Sequence, residues 1–151
     1  MDEPHWLDER EARVWRQYRA LMRELQSAQD RQLVRDSGLS GADYALLVPL
    51  SEAADGVLRA RDLGLEIGWE RSRLSHQISR MEKRGLVARE PCPDDARGSM
   101  VRLTPDGRAA IEAAAPAHVE TVRRYFFDPL TAKEVDVLGA LFEKMLGALG
   151  R

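Results

Sequence analysis

Between Trp69 and Leu103 the apolar residues change their period, and few folds accommodate that change. Leu74, Ile78 and Met81 recur at spacings of four and three, the stripe of an amphipathic helix within WERSRLSHQISRMEKR. Gly85 then acts as a C-terminal stop. LVARE alternates like a strand, and SMVRL alternates again with Val101 and Leu103 on one face and Met100 on the other. The segment between them, PCPDDARG, has two prolines, two aspartates and a glycine and is expected to be a loop. The pattern predicts a helix followed by a hairpin.

What precedes that helix narrows the architecture further. Leu63 and Ile67 mark a short helix that closes at Gly68, so a short helix, a glycine turn and a second helix make a helix-turn-helix. With the hairpin added, the arrangement is a winged helix. Upstream, Trp15, Tyr18, Met22 and Leu25 give a long first helix over about 5–36, ended by Gly38. Ser40 with Asp43 three residues on is close to a capping box and starts a helix through DYALLVPLSEA. DG at 55–56 is a turn and VLRA a short extended piece.

Downstream, Thr104 caps and Pro105 opens another helix, which Pro116 is expected to end or kink. The pattern resumes with Val119, Val122 and Phe126. DPLT breaks it, Thr131 caps again, and Leu138, Leu141, Met145 and Leu149 form a final apolar stripe. The expected fold class is mainly α with a small hairpin. The chain, 1–151, is expected to hold a winged helix-turn-helix lobe at 40–103, with long helical segments at 5–36 and 104–150. The first and last helices carry more apolar stripe than a small lobe covers, which points to a second copy of the chain.

Composition excludes more than it identifies. The chain has one cysteine, Cys92, so no internal disulfide forms, and His5, His76 and His118 fit no structural zinc spacing. No cofactor and no metal site are expected. No nucleophile–base pair sits in a supporting motif and no glycine-rich phosphate loop is present, so the chain does not read as an enzyme. No window approaches a membrane span, and the acidic start MDEPHWLDEREARVW has no apolar signal core. A cytoplasmic protein is expected.

The net charge of -2 is unevenly distributed. From Arg71 to Arg89 six cations (Arg71, Arg73, Arg80, Lys83, Arg84, Arg89) face one acid, Glu82, a net of +5 that leaves -7 on the rest. A basic patch on an acidic body steers a polyanion; a merely solvated face is the ordinary alternative. At about 100° per residue, Leu74, Ile78 and Met81 share one side of the helix. Ser72, His76, Ser79 and Lys83 lie opposite, flanked by Arg73, Ser75 and Arg80, with Arg71 and Gln77 nearer the buried edge. Arginine makes bidentate contacts with guanine, and Ser, His and Gln reach base edges or phosphates. The amides near Trp69–Ser72 suit a phosphate. The expected partner is therefore double-stranded DNA, with the helix in the major groove and Arg97 of the wing in the adjacent minor groove.

At this point the sequence resembles the MarR (multiple antibiotic resistance regulator) family of bacterial transcription factors. The residues that carry the resemblance are LGLEIGWERSRLSHQISRMEKRGLVARE and DDARGSMVRLTPDGRAAI, including MEKRGLVARE, Asp95-Ala96-Arg97 and LTPDG. The core motifs run over residues 57 to 111, and their combined spacing is specific. The resemblance implies a homodimer made by the first and last helices, with Trp15, Tyr18, Leu138, Leu141, Met145 and Leu149 in the interface. It implies Arg97 in the minor groove, braced by Asp95. It also implies a small-molecule or redox effector, unidentified here, that alters the spacing of the two recognition helices. The expected function is a ligand-responsive repressor on a pseudo-palindromic operator, nucleoid-associated when bound. The alternative is a winged-helix protein-interaction module without DNA binding. Two departures stand out: Cys92 lies where the family often has aspartate, and Arg59 where a Ser/Thr cap often precedes the third helix.

Each singled-out residue has a plainer reading beside the functional one. Arg97 competes with a solvated loop arginine, and His76 with a neutral surface histidine. Cys92 as a redox sensor competes with an incidental thiol, which its acidic neighbours Asp94 and Asp95 favour. Nothing local completes a metal site around His5 or His118. Trp15, Tyr18 and Tyr44 could line an effector pocket but are more often core or interface.

Overall fold

The computed structural model describes residues 3–151. Six α-helices are joined by three short strands: α1 (Glu9–Ser37), α2 (Gly41–Glu52), β1 (Val57–Arg59), α3 (Ala60–Ile67), α4 (Arg71–Lys83), β2 (Val87–Cys92), β3 (Asp95–Leu103), α5 (Pro105–Val122) and α6 (Ala132–Ala148). A 3-10 turn, Ala54–Gly56, precedes β1, and a π-helical turn, Arg123–Phe127, follows α5. The strands form one antiparallel sheet in the order β1-β3-β2, with Val57 opposite Arg102 and Val87 opposite Leu103. This is a winged helix. Among the described residues no helix is long and apolar enough to cross a membrane.

The helix starts follow from capping. Asp8 and Glu11 form a reciprocal box, each backbone N–H donating to the other's carboxylate at 2.8–2.9 Å, so α1 begins at Glu9 rather than near His5. Ser40 with Asp43 and Thr131 with Glu134 make complete boxes at α2 and α6. Gly68 takes the left-handed conformation (φ 71°) that closes α3 and turns the chain into α4. Thr104 caps α5: its hydroxyl donates to the Gly85 carbonyl (2.6 Å) and accepts from the Gly107 amide (2.9 Å). Only glycine fits at 107, because a Cβ there would lie 2.0 Å from the Leu86 carbonyl oxygen. The LTPDG segment is thus a helix start pressed onto the turn between α4 and β2.

Three expectations are corrected. PCPDDARG is mostly strand: Pro91 and Cys92 end β2, Asp95 starts β3, and only Pro93 and Asp94 turn the chain. β2 is an edge strand, where a proline leaves no ladder bond unmade, and the register shift between Pro91 and Cys92 absorbs the irregularity. VLRA is not one extended piece: Val57–Arg59 form the third strand, on the far side of β3, and Ala60 already opens α3. Pro116 does not end α5, which runs to Val122, because one proline removes a single i→i−4 bond that flanking turns outlast.

The chain divides into two compact units: Asp30–His118, and the segment through Gln29 together with Val119–Arg151. The first holds the core. Leu46, Leu47 and Leu50 of α2, Leu63 of α3, Ile78 and Met81 of α4 and Val101 of β3 are all at most 1% exposed. Full burial of such side chains contributes roughly 1.5–3 kcal/mol each. Leu33 of α1 and Ile111 and Ala114 of α5 belong to the same cluster. That is why the last residues of α1 and most of α5 go with this lobe.

Candidate nucleic-acid interface

α4 is held from below by its apolar stripe and from one side by a buried carboxylate. Leu74, Ile78 and Met81 are buried as the wheel predicts. Asp43, 2% exposed, joins α2 to α4: its Oδ1 accepts from Gln77 Nε2 at 2.7 Å and its Oδ2 from Arg84 Nη1 at 2.6 Å, while the Ser40 amide completes the capping box. Burial pushes the Asp43 carboxyl up, but the Arg84 and Ser40 hydrogen bonds outweigh it and hold the group below the usual carboxylate value. Gln77 is therefore a structural member of the lobe. Its side chain is buried and committed to Asp43, so of the nine α4 residues expected at DNA it is the one turned inward.

The remaining face is as expected. Arg71, Ser72, Arg73, Ser75, His76, Arg80 and Lys83 are exposed and Ser79 is half-buried. No acid lies in the first turn, and the N-cap residue Glu70 makes no side-chain capping bond. Trp69, Ser72, Arg73, His76 and Arg80, with Ala42 of α2, line an open groove of about 550 Å³. The Arg73 guanidinium carbon lies 3.8 Å from the centre of the Trp69 ring.

Two cations of the +5 run have partners within the protein. Arg84 is bound to Asp43, and Arg89 folds back onto α4, donating to the Ser75 carbonyl at 2.7 Å and approaching the Ser75 hydroxyl at 3.1 Å. Glu82, the lone acid, accepts from the Arg89 backbone N–H at 3.0 Å. Arg71, Arg73, Arg80 and Lys83 are the cations of the outer face of α4, and Arg84 and Arg89 stay exposed while holding their internal partners. These internal partners come from other elements and leave no periodic signal in the sequence.

The wing presents Arg97 exposed near its tip. Asp95 meets Arg97 at the backbone: its Oδ1 accepts from the Arg97 N–H at 2.9 Å. Arg59 of β1 pairs with Asp94 of the turn at 3.2 Å, and Arg102 pairs with Glu90 across β2 and β3. The Arg102 hydrogen bond holds the Glu90 carboxyl below its usual value. Arg59 precedes α3 without a side-chain capping bond, so its departure from the family pattern coincides with a pairing role on the wing. Cys92 is buried, close-packed against Gly98. Within the same unit, His118 packs on Tyr44 with ring centres 4.3 Å apart, and burial lowers its pKa.

The other unit carries the remaining predicted residues. Trp15 and Tyr18 stack at 5.3 Å and stay about half exposed. α6 buries none of its residues: Leu141, Phe142, Met145, Leu146 and Leu149 are exposed, and Leu138 is half-buried.

Known proteins share both the sequence and the shape. The profile of the MarR family matches residues 37–98. The crystal structure of Sco3205, a MarR family transcriptional regulator from Streptomyces coelicolor in complex with DNA, is 40% identical. It matches over 100% of this chain and 94% of that one, with a TM-score of 0.92. AbsC, a MarR family transcriptional regulator from the same organism, is 36% identical over 98% and 100% of the two chains, with a TM-score of 0.90. The transcriptional regulator HosA of Escherichia coli O111:H- is 37% identical over 75 residues, 50% of this chain and 55% of that protein. The chain thus spans about half the length of the curated relatives it matches.

Proposed function

The chain belongs to the MarR family, and we propose that it is a DNA-binding transcriptional regulator that works as a homodimer on a pseudo-palindromic operator. The observation that carries the reading is the outer face of α4, where four cations, serines and a histidine project from a helix whose other side is locked into the lobe. A relative of the same shape and 40% identity has been crystallised with DNA, which supports the same use of this face. In this reading Arg71, Ser72, Arg73, Ser75, His76, Ser79, Arg80 and Lys83 meet the major groove and its phosphates, and Arg97 enters the minor groove with its backbone held by Asp95. Gln77 contributes by holding the helix.

The homodimer accounts for the exposed stripes of α1 and α6, which no side of their own unit covers. Two-fold symmetry then sets two half-sites about one helical turn, roughly 34–36 Å, apart. Repression follows when the operator overlaps a promoter, and an effector that changes the spacing of the two recognition helices would release it. The chemistry is recognition, with no reaction assigned to any residue.

The test is fluorescence anisotropy on the duplex flanking the protein's own gene, beside a scrambled duplex, across a salt series. Tight binding to the flank that weakens steeply with salt is expected, since log K falls by about 0.9 per neutralised phosphate for each decade of salt. No binding to any duplex at low salt would replace this reading with a protein-interaction module.

A further inference from the structure

Arg73 differs from the other cations on the outer face of α4 in resting on an aromatic ring. Its guanidinium carbon lies over the Trp69 ring, 3.8 Å from its centre. Trp69 is itself well anchored. Its amide donates to the Gly64 carbonyl at 3.0 Å, and the side chain, half-buried, packs against the lobe core. The turn that carries it has no slack: a Cβ on Gly64 would sit 3.2 Å from both the Trp69 carbonyl oxygen and Leu74 Cδ2. Trp69 and Arg73 line the same groove as Ser72, His76 and Arg80.

We propose that Trp69 is a positioning residue for base recognition, holding Arg73 in the conformation from which it reads one base pair of each half-site. The inference rests on the DNA-binding reading above. A guanidinium carries its five N–H donors in its own plane, so contact through its face leaves its edge open for the O6 and N7 of a guanine. A long side chain that is already ordered loses less freedom on binding, and arginine is among the most rotamer-rich side chains. Trp69 gains no base contact of its own in this scheme. Its effect passes entirely through Arg73.

The experiment selects duplexes from a random-sequence pool with wild type, Trp69→Leu, Trp69→Phe, Arg73→Ala and the double variant Trp69→Leu/Arg73→Ala. Anisotropy then gives affinities for the wild-type duplex, its single-base-pair variants and a scrambled duplex. Arg73→Ala is expected to flatten the preference at one position per half-site. Trp69→Leu should weaken preference at that same position by about 2- to 5-fold, the size of an exposed cation–π contact. It should leave scrambled DNA unchanged and add nothing once Arg73 is gone. Trp69→Phe, which keeps a weaker ring face, should fall between, and it carries the same comparison if Trp69→Leu melts early. Equal losses on operator and scrambled duplex, a loss that persists in the Arg73→Ala background, or unchanged base preferences would each overturn the proposal. A wild-type protein that enriches no duplex overturns the DNA-binding reading and this inference with it. A wild type that selects a motif the Trp69 variants keep overturns this inference alone.

Discussion

α4 and α6 are both amphipathic helices of similar length, thirteen and seventeen residues, and the molecule treats them in opposite ways. α4 buries Leu74, Gln77, Ile78 and Met81 within its own lobe, whereas α6 buries nothing. The same contrast separates the two compact units. Asp30–His118 closes around leucines that are almost wholly inaccessible, while the other unit leaves Trp15, Leu141, Met145 and Leu149 between 44% and 78% exposed. An apolar stripe specifies a face that water disfavours; it does not specify what covers it. In the lobe the cover comes from the same chain. For the stripes of α1 and α6 the proposal is that it comes from a second copy.

The most forceful way to break this contrast is to charge the exposed stripe. Leu141→Asp with Met145→Asp should turn the dimer into a monomer in sedimentation velocity. Operator affinity should fall about 100-fold or more, because two half-sites are no longer held by one linked body. Persistence of the dimer would remove these residues from the interface. Within the lobe, Leu47→Ala should lower unfolding free energy by about 2–5 kcal/mol in a denaturant titration. Leu65→Ala, at a position 64% exposed on α3, should change it by less than about 0.5 kcal/mol.

A sharper test addresses the polar seam of the lobe. Asp43→Asn keeps an oxygen that can accept from Gln77 but puts an NH2 donor where the other oxygen accepts from Arg84 and the Ser40 amide, and should cost about 1–3 kcal/mol with a matching drop in melting temperature. The pH dependence follows in sign. The folded Asp43 carboxyl lies below its unfolded value of 3.8, so its contribution is fully present above that value and is lost as pH falls through the lower folded one. The variant should show a shallower acid limb; an unchanged limb would mean that other carboxylates dominate it. The smallest effect concerns His118. Its folded pKa lies below the unfolded 6.5, so the unfolded state takes up the proton first and lobe stability should decline as pH falls from 6.5 towards the folded value. An NMR titration of the His118 ring that ends below pH 6.5 would agree, and one that ends above it would contradict the sign.

How much of this was legible in the chain depends on the range of the interaction. The α4 stripe, the Gly68 turn and the boxes at Ser40 and Thr131 are local: residues three or four apart meet in any helix, so spacing alone predicts them. The hairpin extends further than its sequence suggests because Pro91 reads as a loop residue, and an edge strand tolerates it. The candidate site was legible as a face but not as an inventory. Gln77 reads as a DNA contact and Arg84 and Arg89 as part of the basic run, yet their partners Asp43 and Ser75 lie 34, 41 and 14 residues away.

By itself, the sequence determined which helices form, where those with Ser40 and Thr131 caps start, which side of α4 is greasy and which side is basic, and that a wing follows. Those outcomes depend on backbone geometry and on neighbours within a turn, which every conformation of the chain shares. Only the tertiary structure decided that Gln77 and Arg84 bind Asp43, that Arg89 reaches back to Ser75, and that Gly107 must be glycine. Each of these depends on two segments arriving within a few ångströms of one another. That approach is set by how the whole lobe closes around Leu46, Leu47 and Leu50, and no residue pattern within one helix encodes it.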